Sequence, residues 1–167
     1  KNENWHWSSS PGDEQYRRGL YAFWRRTALH PMFLTLDAPS REECVVARFR
    51  TNTPLQALVT LNDPTFVEAA CALAQRVLLE GPKAHDARLA HAFRLATCRS
   101  PEPAEMEVLR RRFEQQRARF AADPDAASQL VNVGQFARDA RLPEPELAAW
   151  TALGSLLLNL DGVLMRE

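Results

Sequence analysis

The stretch RTNTPLQALVTLNDP, residues 50–64, decides how this chain is read. Thr53-Pro54-Leu55-Gln56 has the form of a capping box: Thr53 as N-cap, Pro54 at the first helical position, Gln56 reaching back to the cap. Leu55, Leu58, Val59 and Leu61 then give a short apolar helix. Asn62-Asp63-Pro64 repeats the device, with Asp63 capping and Pro64 opening a second helix. That helix is expected to reach about Glu80, where Gly81-Pro82 stops it. Its apolar stripe is Phe66, Ala70, Leu73 and Val77. Two helix starts in tandem thus explain most of the polar density, but leave Arg48, Arg50, Asn52 and Asn62 without a role.

Downstream, the same punctuation recurs. A helix over about 85–98 carries Leu89, Phe93 and Ala96 on one face. Ser100 and Pro101 are expected to cap the next helix, which runs to about Ala122 on Met106, Leu109, Phe113 and Phe120. Asp123-Pro124 breaks it. A short helix near 125–135 follows, and a last apolar one over about 146–159 bears Leu147, Trp150, Leu153, Leu156 and Leu157.

Upstream, residues 1–12 form an irregular opening segment, after which Asp13 is expected to cap a helix to about Thr27. Tyr16, Leu20, Phe23 and Trp24 would form its apolar face. His30-Pro31 ends that helix, because a residue before proline is pushed out of helical geometry. Residues 28–52 read as a linker in which Met32–Leu36 is a brief strand or an extended segment. The expected fold is therefore all-α: an irregular bundle of about six helices with Pro-capped turns and an extended, loop-rich N-terminal segment. The whole chain, 1–167, reads as one helical domain.

Composition narrows the function classes. The formal net charge is zero, so no overall field favours nucleic acid. The run RRRFEQQRAR, residues 110–119, turns its arginines in several directions on a helix and reads as a solvated face. Glu107–Arg111 and Glu114–Arg117 stand at pairing distance. No apolar run reaches the ~18–20 residues that a bilayer span requires. Cys44, Cys71 and Cys98 show no CxxC spacing, so no zinc site is legible. No CxxCH motif is present, so no covalently held haem is expected in this segment. His85 and His91, six residues apart, make a poor metal pair.

One constellation combines aromatic faces with forked donors: Trp5, His6, Trp7, Trp24, Arg25, Arg48, Arg50 and Asn52. Sugar and anion sites use such residues, rings as apolar platforms and Arg as a bidentate partner. The same residues also serve plain packing. Asp37, Arg41 and Asp63 complete the candidate set, since the segment 37–63 is the one place where carboxylates and Arg could share a cleft.

These residues also carry a resemblance. YRRGLYAFWRRT (16–27), the segment 37–70, Arg99-Ser100-Pro101 with Glu105, and LLLNLDGVLMRE (156–167) resemble a planctomycete-specific C-terminal domain family of unknown function, associated with cytochrome-c-like modules. Gly162 stands where an acidic residue is expected. The resemblance implies the end of a large exported protein of the periplasm or cell envelope, whose upstream domains are the partners and sometimes carry haem. It supplies no catalytic residue. Three functions follow as expectations: a structural or interaction domain packing on upstream modules; carbohydrate or anionic-ligand binding at the Arg/Trp cluster; or part of an enzyme or redox assembly whose active site is shared with upstream domains.

Overall fold

A computed structural model describes residues 7, 10, 12–25, 28–47 and 51–164. They are all-α, with no strand among them. The chain divides into two compact units, Lys1–Gln56 and Ala57–Glu167.

The second unit holds the core. Its helices are the greater part of α2 (Pro54–Asn62), then α3 (Pro64–Glu80), α4 (His85–Thr97), α5 (Pro103–Ala122), α6 (Pro124–Val131), α7 (Glu144–Leu158) and the short α8 (Asp161–Leu164). The tandem starts form as read. Thr53 N–H donates to Gln56 Oε1 (2.8 Å), and Gln56 N–H donates to Thr53 Oγ1 (3.2 Å). Asp63 accepts from Thr65 N–H at 2.9 Å. Asn62, unexplained by sequence, donates from Nδ2 back to Leu58 O at 2.8 Å.

The central helix is α7, which packs on α3, α5, α6 and α4. Leu147 through Thr151, Leu153, Gly154 and Leu157 are all buried, and a helix apolar on nearly every side belongs inside. Gly154 allows the closest approach: a Cβ there would meet Ala70 O at 3.0 Å. Thr151, fully buried, donates its hydroxyl to Leu147 O at 2.8 Å, which meets its own polar group. On α3 the buried line is Val67, Ala70, Cys71, Ala74 and Val77. Phe66 and Leu73 of the expected stripe are only half-buried, because the helix is turned toward its small residues to admit α7.

Two polar ties close this unit. Glu68, buried on α3, accepts from Gln135 N–H and holds the turn at Gly134. Gly134 sits at φ +88, and a Cβ there would lie 2.0 Å from Glu68 Oε2, so both its backbone and its space require glycine. Thr60 Oγ1 donates to Asn159 Oδ1 at 2.5 Å, joining the end of α2 to the end of α7.

The start of α5 corrects the expected cap. Ser100 and Pro101 do not cap; Glu102 does, with Pro103 at the first helical position. A second proline two residues on pushes Glu102 out of helical geometry, to φ −73 and ψ 162, and so delays the start. Glu105 accepts from Glu102 N–H (2.8 Å) and takes both terminal nitrogens of Arg99 (2.7 and 2.6 Å).

The first unit departs further from expectation. In place of a helix over 13–27 there are two 3-10 turns, Gly12–Tyr16 and Gly19–Tyr21. Of the expected apolar face, Tyr16, Leu20 and Phe23 are exposed, and half-buried Trp24 packs on Phe33 instead. A short helix gains its stability from a packed face rather than from propensity, and Tyr16, Leu20 and Phe23 supply none here. The brief strand or extended segment expected at 32–36 is instead helix α1 (Pro31–Thr35). His30-Pro31 starts a helix here rather than ending one. Pro31 takes the first position, and His30 Nδ1 accepts from Met32 N–H at 3.3 Å. Asp37, at φ +57, turns the chain away.

All three cysteines are free thiols: Cys71 lies in the core, while Cys44 and Cys98 are exposed. Burial raises the Cys71 pKa. Among the described residues no helix is long and apolar enough to cross a membrane.

Candidate functional site

The first unit gathers several of its aromatic and basic side chains into one row. The Arg41 guanidinium lies 4.2 Å from the centre of the Trp24 ring. Trp24 stacks on Phe33 with centroids 5.2 Å apart and planes 20° apart. Phe33 meets His30 at 5.4 Å, and His30 meets Trp7 edge-on at 5.0 Å. Arg25 then lies 4.6 Å from the Trp7 ring centre and 5.8 Å from that of Phe23. The four rings from Trp24 to Trp7 thus have a guanidinium at each end, an arrangement that ring quadrupoles favour.

Local sequence builds it. The α1 turn holds His30 and Phe33 three positions apart, on one side of a short helix. Gly19 lets the Phe33 ring close in, for a Cβ there would touch it at 3.0 Å. Trp24 is fixed by its indole N–H, which donates to Ser40 O at 3.0 Å.

Asp37 organises the other half. Its Oδ2 accepts from Thr51 Oγ1 (2.7 Å), Thr51 N–H (2.9 Å) and Gln56 Nε2 (3.1 Å). Gln56 also donates to Thr51 Oγ1 at 3.0 Å. The Thr51 hydroxyl first, and the Thr51 amide next, hold the Asp37 carboxyl below its ordinary value of 3.8. A carboxylate so stabilised is a weak base, so its place is structural: it ties residues 37, 51 and 56 around the helix start.

Of the sequence-predicted residues, Trp24, Arg25 and Arg41 join the ring row, and Asp37 the hydrogen-bonded turn. Asp63 is the N-cap of α3. Asn52 is exposed and engaged within the chain. Trp5, His6, Arg48 and Arg50 lie outside the described residues. His30 and Phe33 were not singled out by sequence, because the row is assembled from turns with no period to reveal it. Glu68 was also missed; inside the apolar run FVEAA, only its burial shows that it is a clamp. Trp24 already shares its ring between Phe33 and Arg41, which leaves a poorer platform for a sugar than an open indole. Among the described residues no three His, Cys, Asp or Glu side chains group as a metal site.

Comparison with protein families gives one match. Residues 1–113 fit the family described as PSD1, protein of unknown function (DUF1553). Neither a comparison with curated proteins nor one with solved structures yields a match. The matched segment contains the ring row, the Asp37 turn, both tandem caps and Glu68, while the turn that Glu68 clamps at Gly134 lies beyond it. With 113 of its 167 residues fitting, the chain belongs to the PSD1 family.

Proposed function

We propose that this chain is an interaction domain that packs on other modules of a large exported polypeptide, and that its first unit is the docking surface. The observation that carries this reading is exposure. Phe23 is 71% exposed, Leu20 70%, Leu34 69% and Tyr21 62%. No described apolar side chain of that unit is buried; Gln56 is the one buried residue among those described. Apolar side chains gathered on a surface without a core beneath them mark an interaction site. The setting in the cell envelope, and haem-bearing neighbours in the same polypeptide, extend from the motif resemblance.

Hydrogen exchange tests the reading. Amides of residues 16–46 are measured in this chain alone and within the full parent polypeptide. Docking predicts slower exchange in the parent across Gly19–Tyr21 and α1, and recovery of fast exchange with Leu20→Asp and Phe23→Asp together. Equal rates in both contexts would show that nothing covers this unit.

A further inference from the structure

The second unit contains a cavity of about 600 Å³ between the N-terminal turns of α4 and α7 and the middle of α5. His85, Arg88, Phe113, Glu114, Glu146 and Trp150 are among its walls. This size suits a small molecule. Three rings make its apolar side: Phe113 and Trp150 lie 4.6 Å apart, and His85 lies 4.9 Å from Phe113 and 6.4 Å from Trp150.

Two residues of this wall, Trp150 and Arg88, carry donors without a hydrogen-bond acceptor among the described residues. Trp150 is only 2% exposed, and its indole N–H has no acceptor among the described residues. A buried donor left so is unfavourable. The Arg88 side chain is 19% exposed. Its Nε donates to Pro82 O at 2.9 Å. Its nearest carboxylate, Glu146, stands 3.9 Å from Nη1, beyond hydrogen-bond reach. Neither terminal nitrogen of Arg88 makes a hydrogen bond among the described residues. Arg117, also on this wall, is by contrast satisfied by Glu114 at 2.7 and 3.0 Å. Two helices begin here, and neither Ala84 nor Pro143 caps its helix with a side chain. The positive ends of α4 and α7 therefore add to the field of Arg88.

We infer that this cavity binds a small organic acid with a flat apolar body. Arg88 takes the carboxylate, and the ring lies against the aromatic wall of His85, Phe113 and Trp150. Glu146 competes for Arg88 and limits the affinity.

The test is a ¹H–¹⁵N titration of the full 167-residue chain with benzoate and, separately, with the neutral isostere benzamide. Benzoate is expected to shift the Trp150 indole N–H and the amides near Arg88 and Glu146 saturably. Benzamide should bind about tenfold more weakly or worse, as loss of a charged hydrogen bond requires. Arg88→Gln should weaken benzoate by a similar factor, and Glu146→Gln should tighten it. Unchanged resonances elsewhere report that each variant is folded. Absence of a saturable shift, equal binding of the two isosteres, or indifference to Arg88→Gln overturns the proposal. If Arg88→Gln unfolds the chain, Glu146→Gln decides, and unaltered benzoate affinity overturns it.

Discussion

Asp37 holds a positive-φ turn, three donors on one oxygen and the start of α2 at once. Its pKa is lowered in the folded chain. Its contribution is therefore present above the ordinary aspartate range of about 4 and is lost as pH falls through the lower folded value. Asp37→Ala should speed amide exchange at Thr51 and leave α3 and α7 unaltered; exchange at Thr51 equal to wild type would remove Asp37 from this role. Glu105 permits a sharper test. Arg99 first, and the Glu102 amide second, pull its carboxyl from 4.5 to about 2. The tie to Arg99 is then complete above pH 4.5 and fades as pH drops toward 2. A carbon-detected titration of the Glu105 carboxyl should find that low midpoint. Arg99→Gln should move it back toward 4.5.

Helix starts were legible where proline fixed them. Thr53-Pro54 and Asp63-Pro64 specify both φ and an acceptor, so α2 and α3 begin where the residues say. Asp63→Ala should cost about 1 kcal/mol, the usual worth of an N-cap, in urea unfolding; an unchanged midpoint would mean that Pro64 alone sets the start. Glu102-Pro103 obeys the same rule, and the misplaced cap at Ser100 came from taking the first proline of two. The segment 13–27 misled for another reason. Its 3.6-residue spacing of Tyr16, Leu20 and Phe23 is genuine, but spacing promises a helix only if something receives the face. The row of rings stayed hidden because Trp7, Trp24, His30 and Phe33 meet through turns. The cavity by Arg88 stayed hidden because its walls come from α4, α5 and α7, and only packing brings them together.

Across the molecule, stability is distributed unevenly. Among the described residues, every buried apolar one lies between Val67 and Leu157. Segments with few buried contacts open at low free energy, and proteases find them first. Trypsin should cut after Arg17, Arg18, Arg25 or Arg41 before any site in α3 to α7, as mass spectrometry of early fragments will reveal. First cuts within α5, despite its exposed arginines, would contradict this ordering. The same contrast gives the thiols a use. Cys71 is sealed in the core, whereas Cys44 stands in the first unit and Cys98 in the second, both open to solvent. The wild-type chain thus has its own pair of attachment points for spin labels or fluorophores, one on each unit. A dipolar distance between them would report any motion of one unit against the other, with no residue changed.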